Sequence, residues 1–394
     1  MYGKLKPDEA KKLREERVEE SLDIILRRKK PNRVPIYSNE GLWKLADQGI
    51  PFSVGLYDLE VLEEAIFKFH EDYGFDVYVD YSMLNKLAFQ AAYGKSKFVV
   101  SDNPNSIQIL DEFPMTEEDY DTFAEKGLTK FFFEDLAPRN HGWTSKEDAI
   151  AHLKKATEEW IKWTNHTNRV YDVTCNEYGL PYVCLAAYQM PFEYFVCGLR
   201  GIKNTSLDLR RHGEKMLECF ETYDPDNWND FLAYAPTIKR DGTYIFESYT
   251  CPMAYTILSP KQFEKFYWPW MKKYFNWVED NNQTAFVYAE GSIDNKLDFF
   301  KEVGEKTFGI FIEQDSVEKL KKELPQWTLI GGYPTTLLGG GSVSECIDEA
   351  KRLQEAVNYD GNWIFSFDKV TSYPDDMKRD NLKAVLDYFR NVKL

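Results

Sequence analysis

Histidine is scarce in this chain of 394 residues: five occur, at positions 70, 141, 152, 166 and 212. None is spaced for an HExxH zinc motif, and no GxSxG elbow offers a serine nucleophile, so zincin and serine-triad chemistry have no carrier. No GxGxxG follows a strand pattern, which argues against a nicotinamide or flavin on a Rossmann half. The six cysteines (175, 184, 197, 219, 251, 346) show neither CxxC nor zinc-finger spacing. Cys184 and Cys197 lie in apolar stretches, where buried reduced thiols are expected. No apolar run approaches membrane-spanning length, and the opening MYGKLKPDEAKKLREERVEE is too charged for a signal peptide. These features predict a soluble cytoplasmic protein. Basic charge is also short, 49 Lys and Arg against 65 Asp and Glu, for a formal net charge of −16. Such a sheath repels phosphate backbones and anionic membranes, so neither nucleic acid nor membrane is an expected partner. The basic patches LRRKK (26–30) and DLRRHGEK (208–215) sit among acids and read as solvated helix faces.

What is abundant is apolar and aromatic: 43% hydrophobic and 16% aromatic residues, enough for a sizeable core. The runs RVPIY (33–37), FDVYVDY (75–81), PYVCLAAY (181–188), TYIFESY (243–249), TAFVYAE (284–290), TFGIFIE (307–313), WTLIGGY (327–333) and NWIFSFD (362–368) read as buried strands. Helical patterns separate most of them, as at 259–281, 316–324, 342–357 and 375–392. Apolar strands alternating with amphipathic helices predict an α/β fold with a parallel sheet. Eight strands predict a single (β/α)8 barrel over 1–394. A helix at 8–29 is expected beneath the first strand. The stretch 97–113 reads as a hairpin around Asn-Pro-Asn, within an inserted segment of about 97–180.

In that architecture active sites form at the C-terminal ends of the strands. Those positions hold Asn39, Glu40, Asp80, Tyr188, Glu247, Tyr288, Glu290, Glu313, Tyr333 and Asp368, where acids and tyrosines dominate. Glu290 ends the strand of FVYAEGSIDNKLDFF; a low-dielectric rim would raise its pKa and suit it to proton transfer or metal ligation. The alternative is that it caps the first turn of the following helix. Glu247, Glu313 and Asp368 are further candidates, or members of structural ion pairs. Tyr188, Tyr288 and Tyr333 could donate to substrate or line its pocket. In LLGGGSVSE (337–345), Ser342 and Glu345 make a capping box, a simpler reading than an anion site.

Four passages then resemble the uroporphyrinogen decarboxylase superfamily: KKPNRVPIYSNEG, YTILSPKQFEKFYWPWMKKYFNWV, LIGGYPTTLLGGGSVSECIDEAKRL and WIFSFDKVTSYPDDMKRDNLKAVLDY. The resemblance implies a (β/α)8 barrel. True uroporphyrinogen decarboxylases carry an arginine-rich motif after the first strand; here SNEGLWKLADQGIP has Glu40 and no arginine. Asp80 matches the acid those enzymes use to hold pyrrole N–H groups. The corrinoid-dependent methyltransferase branch binds zinc through an H-x-C motif and a late cysteine. Those slots read Tyr288-Ala289-Glu290 and Phe367-Asp368, an oxygen-only set that suits a harder ion on Glu290 and Asp368, or none.

The resemblance thus implies transfer of a methyl group from a small methoxylated aromatic or methylamine-like donor to a cobalamin on a partner protein. Glu290 would be the general acid, with Glu247 or Asp368 as its partner, and Asn39, Asp80, Tyr188, Tyr288, Glu313 and Tyr333 would bind substrate. A homodimer is a further expectation. The alternative is a decarboxylase or lyase acting on a small carboxylic acid or tetrapyrrole, which calls for a basic group at the mouth.

Overall fold

The structure, a computed structural model, describes residues 2–79, 86–94, 96, 98–110, 112–184, 186–238, 240–305, 307–357 and 361–392. Six strands form one parallel sheet in chain order: Ala186–Ala187, Ser248–Thr250, Ala285–Tyr288, Phe308–Ile312, Thr328–Gly331 and Trp363–Ile364. Helices Trp268–Asp280, Val317–Glu323 and Val343–Val357 alternate with them. Every residue of the strands at 285–288, 308–312 and 328–331 is buried. Burial on both faces is why these segments read as unbroken apolar runs.

Parallel bridges extend the pairing: Ile36 with Phe365, Tyr37 with Val77, Tyr78 with Tyr182, and Tyr182 with Tyr244. The strands expected at 33–37 and 75–81 appear as these bridges, without longer ladders among the described residues. Side chains take over ladder hydrogen bonds there. The Asp76 carboxylate accepts from Ile36 N at 2.9 Å, and Ser38 Oγ accepts from Val79 N at 2.8 Å.

The two sheet faces bury different clusters, as the period of two requires. One face contributes Tyr37, Val77, Ile245, Phe286, Tyr288, Phe311, Ile330 and Ile364 to an inner cluster. The N-terminal helix Pro7–Ile25 adds Val18, Leu22, Ile24 and Ile25 to it. That helix stops four residues short of the expected 29, and Arg27 beyond it takes φ 52°. The other face packs Val287, Ile310 and Leu329 against the surrounding helices. Within the inner cluster Tyr288 stacks on Phe311, ring centroids 4.1 Å apart. Gly309 is the small residue this packing needs: a Cβ there would come within 2.7 Å of Phe246 and 2.8 Å of Ile330.

The hairpin predicted at 97–113 is present as antiparallel strands Phe98–Asp102 and Asn105–Ile109. Helices follow, the longest being Lys146–Glu177 with 32 residues. Helices Gly201–Arg211 and Gly213–Tyr234 continue the helical content beyond the expected limit of 180. Among the described residues no helix is long and apolar enough to cross a membrane.

Candidate active site

Strand Ala285–Tyr288 delivers Glu290 to a cleft of about 510 Å³. The backbone around it is fixed from two sides. Glu290 N donates to Pro252 O at 3.0 Å, and the Tyr255 hydroxyl donates to Glu290 O at 2.7 Å. Gly291 then turns the chain with φ 72°, and a Cβ there would meet Thr256 at 2.6 Å. The turn aims Gly291 N at the carboxylate of Glu313, which accepts its hydrogen. The capping role belongs to a neighbour: Asp315 accepts from Ser292 Oγ at 2.5 Å and from Ile293 N at 2.8 Å. The Glu290 side chain is thereby left to the cleft.

Burial, then the charges of Glu313 and Glu193, push the Glu290 carboxyl from 4.5 to about 7. Glu193, at the start of the segment after strand Ala186–Ala187, is also raised to about 7 by burial. Hydrogen bonds from Tyr267 Oη, Ala254 N and Met253 N oppose that rise. Their distances, 2.6, 2.9 and 2.8 Å, fix Glu193 firmly in place. Each of these two acids is raised to about 7, and a charge on Glu193 disfavours one on Glu290, so their titrations are linked. Cys251, just past Ser248–Thr250, has its thiol pushed well up by burial and by the charges of Glu290 and Glu193. Lys296 lines the same cleft, buried, with its ammonium 5.4 Å from the Tyr255 ring centre, and burial lowers its pKa.

Of the residues expected at the site, Glu290 and Glu313 share the cleft. Tyr288 and Asn39 are both buried and meet each other, Asn39 Nδ2 donating to the Tyr288 hydroxyl at 3.3 Å, without being among the residues that line the cleft. The Tyr288 hydroxyl also feels Glu290 and Glu313, which add to the effect of burial in raising its pKa. Glu247 is elsewhere. Its strand continues to Thr250, so Glu247 precedes the ladder instead of ending it. Its carboxylate accepts from Thr284 N and Oγ1, both at 2.6 Å, and pairs with Arg240. The polar look of Ser248-Tyr249-Thr250 hid the last strand residues. Asp368 caps a different segment, accepting from Thr335 N at 3.0 Å and from Thr335 Oγ1. Tyr188 donates to Asp224 at 2.5 Å and stacks on Tyr274, while Tyr333 donates to Cys346 O at 2.8 Å. Both tyrosines belong to the sheet–helix layer. Glu40 is buried beside His70, with 3.7 Å between Oε1 and Nε2. Asp80 lies outside the described residues.

Asp368 accepts from Thr335 through one oxygen and is not among the described residues lining the cleft of Glu290, so nothing described brings these two acids to a common metal ion. Among the described residues, potential ligand atoms converge within 4.8 Å at Glu117, Asp208 and His212. Arg200 and Tyr120 already occupy Asp208, at 2.6 and 2.7 Å. Sequence reasoning missed Glu193, Lys296 and Cys251. A signal for Glu193 existed in MPFEY, where Pro opens a helix and the acid falls in its first turn beyond the strand. Ser342 and Glu345 do form the predicted capping box.

The sheet and its acidic cleft define an α/β scaffold with functional groups past the strand ends. Within that class, residues 241–392 match the uroporphyrinogen decarboxylase (URO-D) family, so the kinship read from the sequence motifs is shown for the part of the chain that carries the cleft strand. In structure the chain is similar to a methyltransferase from Methanosarcina mazei, at 14% identity and a TM-score of 0.58. The match covers 94% of this chain and 97% of that one. Among curated proteins no relative matches by sequence.

Proposed function

We propose that this protein is a methyltransferase that moves a methyl group from a small donor, a methoxylated aromatic or a methylamine, to a corrinoid on a partner protein. Glu290 serves as general acid. The observation that carries the reading is a carboxyl raised to about 7 in an open cleft beyond a strand end. The parallel bridges from Phe365 through Ile36, Tyr37, Val77 and Tyr78 to Tyr182 support a closed (β/α)8 barrel in one domain, with that cleft at its mouth. The fold similarity to a methyltransferase points the same way. Unbridged thiols support a cytoplasmic setting.

The partner's corrinoid would supply a strongly nucleophilic acceptor for the methyl group. The chain's own residues handle the leaving group. As the C–O or C–N bond breaks, its electron pair stays on the oxygen or nitrogen, and Glu290 gives that atom a proton. Glu313 and Glu193 keep Glu290 protonated until then, since a second negative charge beside them is unfavourable. Tyr288 and Asn39 would orient the donor. A positioned acid of this kind contributes about 10²–10⁴-fold. The test is methyl transfer to cob(I)alamin, followed by the corrin spectrum, with wild type and Glu290→Gln. Undiminished transfer by the folded variant removes Glu290 from the role.

Lys296 favours a second reading, a decarboxylase or lyase for a small acid. It is the basic group at the cleft that the strand ends did not supply. Against it stand Glu290 and Glu313 in the same cleft, which repel a substrate with several carboxylates. Release of CO2 without corrinoid, lost in Lys296→Met, would decide for it.

A further inference from the structure

Away from the Glu290 cleft, a cavity of about 230 Å³ opens between the inserted segment and the helices around it. Gln90, Tyr93, Phe113, Phe132, His141 and Gly198 line it. Two π-helical turns, Phe132–Leu136 and Phe195–Arg200, reach it through Phe132 and Gly198. Such turns are rare and concentrate at functional sites.

The walls are flat and braced. The Tyr93 ring stacks on His141 at 5.3 Å and 27°, and His141 packs on Trp143 at 5.5 Å. Trp143 Nε1 donates to Tyr93 O at 2.8 Å, tying the two sides together. Phe113 lies over Gly201, where a Cβ would come within 2.5 Å of its ring. Polar side chains interrupt this aromatic lining at Glu112 and Asn140 as well as at Gln90 and His141. Gln90 Oε1 and His141 Nδ1 are buried with no hydrogen-bond partner among the described residues. Burial and neighbouring His152 lower the pKa of His141, so its ring is neutral near pH 7. A buried polar atom left unpaired costs about 1–3 kcal/mol. A ligand edge carrying donors would recover that cost.

We propose that this cavity binds a small planar aromatic molecule bearing a ring O–H or N–H, a phenol or an indole-type heterocycle. Its faces lie against the aromatic walls, and its O–H or N–H donates to Gln90 Oε1. His141 Nδ1 satisfies a second edge position, as donor or acceptor according to tautomer. The size agrees: an apolar cavity of about 150 Å³ suffices for benzene. None of these residues lines the Glu290 cleft, so this site stands whether or not the methyltransferase reading does.

Isothermal titration calorimetry of the full chain with phenol, indole and cyclohexanol tests the proposal. Phenol or indole should bind at least about tenfold more tightly than cyclohexanol, which matches phenol in size but not in flatness. Gly198→Leu should abolish binding. The three atoms nearest a Cβ at Gly198 all belong to Tyr194, at 3.4 Å or more, and Gly198 lines the cavity, so a larger side chain there occludes it without a backbone clash. Gln90→Leu, which preserves the cavity's shape, should weaken binding about fivefold or more through the lost acceptor. Glu290→Gln should leave it unchanged. Equal affinity for cyclohexanol, undiminished binding in Gly198→Leu, or loss in Glu290→Gln would each overturn the proposal. So would the absence of heat at millimolar phenol and indole, which marks a cavity that holds water only.

Discussion

Replacing Glu290 with glutamine should stabilise the protein and inactivate it, and the two effects have one physical origin. The folded carboxyl titrates at about 7, against an ordinary 4.5. At about 1.4 kcal/mol per pH unit, ionising it in the folded state costs about 3 kcal/mol more than in the unfolded chain. Partial exposure and the linked titration of Glu193 reduce the expected figure to about 1–3 kcal/mol. The sign follows from the raised value. Below 4.5 the group is protonated in both states, and the variant should match the wild type. As pH rises through about 7 the wild type loses stability that the neutral glutamine keeps. Urea unfolding at about pH 4 and about pH 8.5 measures the difference through the midpoint and slope. A variant less stable than the wild type at the higher pH, or a difference that ignores pH, refutes the reasoning. Over the same range methyl transfer by the wild type should decline as Glu290 loses its proton, whereas the variant, about 10²–10⁴-fold slower where Glu290 is protonated, should show no such decline.

Other substitutions separate structure from chemistry. Glu247→Ala strips the acceptor from Thr284 N and Oγ1 and leaves Arg240 unmatched. It should destabilise by about 1–3 kcal/mol in urea unfolding while leaving the turnover of the folded protein unchanged. Gly309→Ala forces a methyl group against Phe246 and Ile330. Overpacking there should cost about 1–3 kcal/mol, read as a lower thermal midpoint. Lys296→Met should leave corrinoid methylation intact; loss of methylation would bring Lys296 into the reaction.

Glu290 was legible in the sequence because a buried apolar run ending in an acid and glycine has few structural explanations. The run Phe286-Val287-Tyr288 is buried on both faces, and the glycine after Glu290 adopts the left-handed turn. Its neighbour Glu313 was legible for the same reason, at the end of Phe308–Ile312. Of the two partners expected for Glu290, Glu247 is held by Thr284 and Arg240 instead. Glu247 lies three residues before the observed end of its strand at Thr250, so it does not reach the strand's tip. Asp368 does follow its strand, but Thr335 offers two donors that hold it there.

The sequence by itself determined the alternation of strands and helices, the net acidic charge and the motifs that resemble the uroporphyrinogen decarboxylase superfamily, because burial and periodicity are local properties of the chain. Only the tertiary structure decided which acids meet. Glu193, Glu290 and Glu313 come from different strand ends, and the raised pKa values of Glu193 and Glu290 depend on burial and neighbouring charge that no local pattern encodes. The same holds for the second cavity, whose walls at Gln90, Phe113, His141 and Gly198 are joined by packing alone.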